Sequence, residues 1–279
     1  MKRSPSPAWA PRYGYENALV NDLCAVADAR ARVELLPLPA DESLRLRFAA
    51  YQRSTRSSTR IEGNPLDDQA VRVAIAAADR EGSKAEQEVR NYWRALDRVE
   101  EWAQGTSPLS EAWIQELHAV VIVRGRGRRR QRTPFRDDEV PVVDTISRRI
   151  DYAPPKPEDV GPLIQQLCQW WQASELVPPV IRAALLSHRF ISIHPFPDGN
   201  GRCGRLLATA SLWRSGYAFR GLLSFEEWFA VSPTTTQEWL RDWQAEGLLE
   251  PAKPGQRIRS WRLCEPWLGW VIGQPHQQE

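Results

Sequence analysis

Apolar residues recur with a helical period along most of the chain. Leu44, Phe48 and Tyr51, for example, are spaced to lie on one face of a helix over about 42–61, which a Gly-Asn-Pro sequence then ends. The same period predicts seven further helices, over 17–35, 66–80, 84–104, 110–123, 157–173, 179–193 and 202–214. The protein is therefore predicted to be mainly α-helical.

One stretch, 138–155, departs from the helical period. Its apolar residues are mostly β-branched and are spaced for two short strands rather than a helix: Val140, Val142, Val143, Ile146, Ile150 and Tyr152. We predict a β-hairpin within the otherwise helical domain.

The pattern changes again beyond residue 225. The sequence PTTTQEWLRDWQAE at 233–246 is typical of a capped helix, and a Pro/Gly turn and the strand-like IRSWRL follow it. Helix, turn and hairpin are the outline of a short winged helix. We therefore expect a mobile tail over 1–16, a helical domain over 17–223 and a winged-helix-like segment over 224–279.

Composition narrows the class of protein. The net charge of +2 favours neither nucleic acid nor an anionic membrane as a global partner. No apolar segment follows Lys2 and Arg3, so the N-terminal sequence does not have the pattern of a signal peptide. No stretch approaches the roughly 18 apolar residues of a membrane-spanning helix. The four cysteines are far apart and form no CxxC pair, so neither a zinc site nor a disulfide framework is expected. We expect a cytoplasmic protein without a membrane partner.

Candidate chemistry is concentrated in the loop 194–205, HPFPDGNGRCGR. Pro195 ends the apolar helix before it and fixes His194 at the exit of that helix. Gly199 and Gly201 allow a tight turn and a close approach of the backbone to a ligand. The next helix begins here, and a helix N-terminus binds anions through its unpaired N–H groups and positive dipole end.

Charged side chains in the same loop favour a phosphate group. Arg202 and Arg205 are three residues apart on one helix face and carry forked donors suited to phosphate. Asp198 would repel phosphate unless a divalent cation lies between them. The residues indicate a nucleotide site, and the plainer alternative is a glycine turn with a core histidine and surface arginines.

The loop 194–205 resembles the signature of the Fic domain, His-Pro-Phe-x-Asp/Glu-Gly-Asn-Gly-Arg-x-x-Arg, at every defined position. The resemblance extends over about residues 40–222. It implies a protein adenylyltransferase, which moves AMP from ATP to a Ser, Thr or Tyr hydroxyl of a target protein. Asp198 and Gly201 argue against the phosphotransferase branch of the family, which resembles this loop but carries lysine in place of Gly201.

The resemblance also implies residue roles. His194 would be the general base, and Asp198 would hold Mg²⁺ on the α- and β-phosphates of ATP, the substrate. For the phosphates it implies binding by Gly199, Asn200, Gly201, Arg202 and Arg205, with Arg202 on the β- and Arg205 on the γ-phosphate. The hairpin 138–155 falls where Fic-like proteins have a flap that clamps the target segment by β-addition. A plain surface hairpin is the alternative.

A second informative motif ends the predicted 42–61 helix. Ser58 and Glu62 are four residues apart on one face, and Glu62 lies at the negative end of the helix dipole, where it needs a positive partner. The motif resembles the inhibitory helix of the family, [Ser/Thr]-x-x-x-Glu-[Gly/Asn], here over about 42–63. By that resemblance Glu62 pairs with Arg205 and displaces the γ-phosphate, while Ser58 orients the glutamate. The same glutamate can also position water for the reverse reaction, removal of AMP.

Three alternatives remain open at this point. The C-terminal segment resembles winged helices, which makes a nucleotide-sensing DNA-binding regulator the second hypothesis and an inactive toxin-like partner the third. The tryptophans of that segment can pack on the core or on a second subunit, as in a homodimer. The basic run at 124–132 can be a nucleic-acid patch, a solvated loop or a grip on an acidic target.

Overall fold

The computed structural model of the protein describes residues 9–11, 13–77, 82–123, 132–140, 142–143 and 150–227. These residues form eight α-helices and one two-stranded sheet. The helices are α1 (Asn17–Glu34), α2 (Ala40–Ile61), α3 (Asp68–Ala76), α4 (Lys84–Gln104), α5 (Glu111–Val121), α6 (Pro157–Ala173), α7 (Pro179–Ile193) and α8 (Asn200–Arg214). The strands are β1 (Val142–Val143) and β2 (Ile150–Tyr152), and a single 3-10 turn at Phe219–Gly221 follows α8.

The predicted mainly α-helical class is confirmed, and α4, α6 and α7 have the predicted bounds. Several helix starts differ from the predicted ones, two of them for clear local reasons. α3 begins only at Asp68, because Asp67 caps it by accepting a hydrogen bond from the Ala70 N–H. α8 begins at Asn200 rather than Arg202, because the left-handed Gly199, with φ 80°, lets the helix start immediately after the loop.

α8 is the central helix and packs against α2, α4, α5 and α7. Its closest neighbour is α7, and Gly204 allows that approach. A Cβ atom at Gly204 would lie 2.8 Å from Cγ1 of Ile191 on α7. The helices enclose a core in which Phe190, Phe196 and Leu206 are fully buried. The loop between α7 and α8 is therefore built on the two helices that pack most closely in the core.

α1 packs on the other side of α7 and α8 through Leu19 and Val26. Trp9 lies within the predicted tail 1–16, yet its ring packs edge-on against Trp170, with centroids 4.6 Å apart. Residues 1–8 of that tail lie outside the described residues. Within the described part of the chain, no helix combines the length and the apolar character needed to cross a membrane.

β1 and β2 pair antiparallel, with Val142 opposite Tyr152 and Val143 opposite Ile150. Residues 144–149, between the strands, lie outside the described residues, so the flap over 138–155 stays a prediction. Most of the predicted winged-helix segment, 228–279, also lies outside them, as does the basic run up to residue 131. Those two interpretations stay predictions as well.

Candidate functional site

His194 lies where α7 ends and the loop 194–205 begins. Its backbone is left-handed, with φ 49° and ψ 59°, and its N–H still donates to the Phe190 carbonyl at 3.1 Å. Among non-glycine residues this conformation is uncommon, and it turns the chain sharply out of the helix. The imidazole is thereby held at the exit of α7, as the position of Pro195 predicts.

The loop is braced from inside by Asn200. Its side-chain Nδ2 donates to the Phe196 carbonyl at 2.6 Å, and its Oδ1 accepts from the Phe196 N–H at 3.0 Å. Asn200 is only 3% exposed. The side-chain amide of Asn200 thus holds the loop backbone through its oxygen and one of its two hydrogens, and phosphate binding by Asn200 stays a prediction.

His118, on α5, supports the loop from below, a role that sequence reasoning missed. Its ring stacks on Phe196 with centroids 3.7 Å apart, and its Nε2 lies 2.8 Å from the Asp198 carbonyl oxygen. A Cβ atom at Gly199 would lie 3.3 Å from the same Nε2, so glycine leaves room for this support. His118 and Asp198 are 80 residues apart in the sequence, and no local motif predicts their contact.

Asp198 and Arg202 pair with each other. Nη2 of Arg202 lies 3.2 and 3.3 Å from the two carboxylate oxygens of Asp198. The side chain of Arg202 is 5% exposed, whereas that of Asp198 is 62% exposed and faces outward. The sequence analysis assigned them separate partners, Mg²⁺ for Asp198 and the β-phosphate for Arg202. In the structure the carboxylate and the guanidinium are in direct contact.

The donor set around Asp198 limits what cation it can hold. Within the described ranges no group of three or more His, Cys, Asp or Glu side chains surrounds a common point. A protein site for Mg²⁺ often uses one or two carboxylates, with waters and substrate phosphates completing the octahedron. The exposed Asp198 carboxylate therefore fits Mg²⁺ only as a cation brought together with phosphate.

Arg205 is held by the end of α2. Its Nη2 donates to Glu62 Oε1 at 2.8 Å, and its Nε donates to Ser58 Oγ at 2.8 Å. The Ser58 carbonyl accepts a third hydrogen bond, at 3.0 Å. The predicted Glu62–Arg205 pair is thus present. Ser58 Oγ binds the arginine, and its role in orienting the glutamate stays a prediction.

The carboxylate of Glu62 lies directly against the first turn of α8. A Cβ atom at Gly201 would collide with Glu62 Oε1, so only glycine lets the carboxylate approach so closely. The end of α2 is fixed by a Schellman motif, in which the Asn64 N–H donates to the Thr59 carbonyl and Gly63 has φ 86°. The Glu62 carboxylate thus lies at the N-terminus of α8, where an anion is favoured.

Arg136 is the second site residue that sequence reasoning missed. It is 4% exposed, and its Nε donates to the His194 carbonyl at 2.8 Å. Its other nitrogens donate to the carbonyls of Asp138, at 3.0 Å, and Pro155. These two carbonyls flank the strand pair, so one guanidinium joins both ends of the strand pair to the end of α7.

The surroundings of His194 favour a neutral imidazole. Burial lowers its pKa below the ordinary value, and the positive charge of Arg136 lowers it further. The Ile191 carbonyl, Glu62 and Asp198 act on the pKa in the opposite direction, but the net pKa remains lowered. A neutral imidazole at neutral pH can accept a proton from a substrate.

Comparisons with known proteins agree with this geometry. Residues 108–212 match the Fic/DOC family. The protein adenylyltransferase Fic of Nematostella vectensis is 29% identical over 196 residues, covering 67% of this chain and 43% of that protein. The protein of the same name from Drosophila melanogaster is 43% identical over 68 residues, covering 24% of this chain and 14% of that protein. The chain thus spans less than half the length of these curated relatives.

Solved structures share the fold. A Fic family protein from Desulfovibrio desulfuricans superposes with a TM-score of 0.76 at 23% identity, covering 95% of this chain and 75% of that one. A Fic domain containing signaling protein from Bacteroides thetaiotaomicron has a TM-score of 0.73 at 22% identity, with coverage of 90% and 91%. The resemblance first seen in the loop 194–205 is confirmed. This chain carries a Fic/DOC family domain over residues 108–212 and has the fold of Fic domain proteins.

Proposed function

We propose that this protein is an adenylyltransferase that moves AMP from ATP to a Ser, Thr or Tyr hydroxyl of a target protein. The observation that carries the proposal is the loop 194–205. It sets a half-buried imidazole of lowered pKa beside a helix N-terminus with two guanidinium groups and one carboxylate. The relatives named protein adenylyltransferase Fic support the same reaction class.

The reaction follows from these groups. His194 removes the proton from the target hydroxyl, whose oxygen forms a bond to the α-phosphorus of ATP. The bond from that phosphorus to the bridging oxygen breaks, and pyrophosphate leaves with the electron pair. The N–H groups of Gly201 and the first turn of α8, with Arg202, stabilise the phosphate charges. Bound at Asp198 together with ATP, Mg²⁺ would neutralise part of that charge.

In the same proposal Glu62 keeps the resting protein inactive. Arg205 is the residue that would bind the γ-phosphate, and its Nη2 already donates to Glu62 at 2.8 Å. The carboxylate also lies against Gly201, in the space that a phosphate needs to reach the helix N-terminus. Like charges repel, so ATP aligned for transfer and the present position of Glu62 exclude each other.

Labelling with ATP that carries ³²P at the α-phosphate tests both parts of the proposal. Glu62→Gly should raise incorporation into target protein or into the enzyme itself, and adding His194→Ala should abolish it. Glu42→Gly is the matched control, because Glu42 lies on the same helix but pairs with exposed Arg45, far along α2. It should leave labelling at the wild-type value.

Mass spectrometry of lysate proteins after incubation with Glu62→Gly and ATP identifies the group transferred. A mass increase equal to AMP supports the proposal, whereas a phosphate adduct, or no adduct on any protein, contradicts it. Equal labelling by wild type and Glu62→Gly would remove the inhibitory role of Glu62. Loss of AMP from a labelled target with wild type but not with Glu62→Gly would assign the reverse reaction instead.

A further inference from the structure

A cavity of about 350 Å³ lies beside the last turn of α8, whereas the loop 194–205 precedes the first turn of that helix. Trp213 lines the cavity, and a rise of about 1.5 Å per residue places it roughly 16 Å along the helix axis from Arg202. The other walls come from the first half of α2, the end of α4 and the 3-10 turn. The cavity is therefore separate from the candidate nucleotide site.

Two arginines and one glutamate are the charged residues in the described walls of this cavity. Glu100 on α4 is already engaged, because it accepts from Arg47 Nη2 at 2.6 Å and from the Tyr51 hydroxyl at 2.5 Å. Arg220, in the 3-10 turn, donates from Nη1 to a neutral group, the Leu36 carbonyl, at 2.7 Å. No carboxylate of the described residues pairs with Arg220. These walls thus carry one positive charge more than negative.

The backbone that carries Arg220 is strained. Phe219 has φ 47° and Arg220 has φ 56°, and His194 in the candidate site is the only other described residue, glycines apart, with a positive φ. L-residues avoid this region, and strained backbone clusters where function requires it. Gly221 follows, and a Cβ atom there would lie 3.0 Å from Arg47 Nε. The turn thus brings Arg220 beside Arg47, although like charges repel.

Uncharged groups complete the cavity. Trp213 is half-buried and packs against Tyr51, with ring centroids 5.9 Å apart, and Ala103 and Ala218 lie in the wall with it. The volume falls at the lower end of the range of about 300–1,000 Å³ that is typical of small-molecule sites. An inorganic anion would leave most of this space empty. The cavity therefore fits an organic body that carries an anionic group.

We propose that this cavity binds a small organic anion with one carboxylate or phosphate group. Arg220 donates to the oxyanion through its planar fork, and Arg47 adds its charge while it stays on Glu100. The body of the ligand packs against Trp213, where an aromatic or apolar group buries the most surface. The bound anion also offsets the repulsion between the two arginines. This site is independent of the reaction proposed for the loop 194–205.

Ligand-observed NMR titrations of the full chain test the site with three aromatic probes. Benzoate carries a carboxylate, phenyl phosphate carries a phosphate, and benzamide is the uncharged counterpart of benzoate. We expect at least one anion to bind with a Kd of about 1 mM, and benzamide to bind at least about tenfold more weakly. The tighter anion identifies which oxyanion the site prefers. Failure of both anions to bind at about 10 mM, or equal binding of benzamide and the better anion, would overturn the proposal.

Arg220→Gln removes the fork and should raise the Kd of the better anion about tenfold, with that of benzamide unchanged. Arg45→Gln is the matched control, because Arg45 lies on α2, is exposed and pairs with Glu42 at 2.7 Å outside the cavity. It makes the same change in net charge and should alter the Kd by less than about twofold. Equal Kd values in the two variants would show that the anion responds only to overall charge, which contradicts a site at Arg220.

Ser43→Phe tests the cavity by its volume. Ser43 lies on α2 in the cavity wall and is half-buried, so a phenyl ring there fills the space while both arginines remain. We expect the Kd of the better anion to rise at least about tenfold. This variant decides the outcome if Arg220→Gln does not fold, and an unchanged Kd would then contradict the site.

Arg205→Ala separates the cavity from the candidate nucleotide site, which also attracts anions. Because Arg205 lies at the opposite end of α8 from Trp213, the Kd of the better anion should stay at the wild-type value. A rise as large as that expected for Arg220→Gln would place the anion at the loop 194–205 and overturn the proposal.

Discussion

The Nε of Arg136 lies 2.8 Å from the carbonyl oxygen of His194, so the peptide that carries the candidate base is held by a buried side chain. Arg136 also binds carbonyls of Asp138 and Pro155, on either side of the hairpin. Arg136→Lys replaces the planar fork by a single ammonium, which cannot reach all three carbonyls at once. We expect the free energy of unfolding in urea to fall by about 2 kcal/mol, the typical cost of leaving buried polar groups unpaired. The proposed transferase activity should fall with it.

Arg132→Lys is the control for this prediction. Arg132 forms a surface ion pair with Glu116 at 2.7 Å, and more than half of its side chain is exposed. A surface pair contributes little, so the change in unfolding free energy should stay within about 0.5 kcal/mol. Equal losses in the two variants would mean that the buried bonds of Arg136 contribute nothing of their own.

The pH dependence of labelling follows from the lowered pKa of His194. The base form is the active form, so the rate should rise as pH increases through the pKa, at a lower pH than for an ordinary histidine. Glu62 raises this pKa by its charge. Glu62→Gly should therefore move the titration of the His194 imidazole, measured by NMR, to a lower pH. A midpoint above 6.5 in either protein would contradict the prediction.

His188 should make the protein less stable in acid. Burial, followed by the charge of Arg189, lowers the pKa of His188 to about 4. A histidine with a lowered pKa stabilises the fold fully above its unfolded pKa of about 6.5, and this contribution declines as the pH falls toward 4. Between pH 7 and pH 5 the unfolding free energy should fall by about 2 kcal/mol from this residue alone.

Urea titrations at the two pH values measure this loss, and His188→Gln should remove most of it because glutamine does not titrate. The residual slope of the variant comes from other groups, His194 among them. A wild-type protein with the same pH dependence as His188→Gln would show that His188 titrates normally.

Asn200→Ala separates bracing of the loop from binding of phosphate. The variant leaves the N–H and the carbonyl of buried Phe196 without the partners they have now. We expect the ligand-free protein to lose about 2 kcal/mol or more of unfolding free energy. A residue that only binds phosphate would leave ligand-free stability unchanged and would lower only the stabilisation that ATP adds in thermal unfolding.

The sequence predicted those parts of the site that depend on local order. Local order decides the effect of Pro195 on His194 and the placement of the two glycines and the arginines at the start of α8. It also places Ser58 and Glu62 on one helix face. The pairing of Glu62 with Arg205 spans 143 residues. It was predictable only because two motifs resemble parts of one family.

The remaining supports could not be predicted in this way. Arg136 and His194 are 58 residues apart, and His118 and Asp198 are 80 residues apart. A buried arginine or histidine has no distinguishing pattern along the chain, because what places it inside is the docking of distant helices. Ser58 is the intermediate case, since its helix face was predicted and its contact with Arg205 was not.

The left-handed backbone of His194 lowers the stability of the fold, but the proposed activity needs a histidine at this position. An L-residue in this conformation costs about 1–2 kcal/mol that glycine would not. Glycine here would ease the exit from α7, but the proposed base would be lost. The chain therefore places the proposed base at a position where glycine would be the more stable residue. The hydrogen bond from Arg136 to the carbonyl of this same residue helps to keep it there.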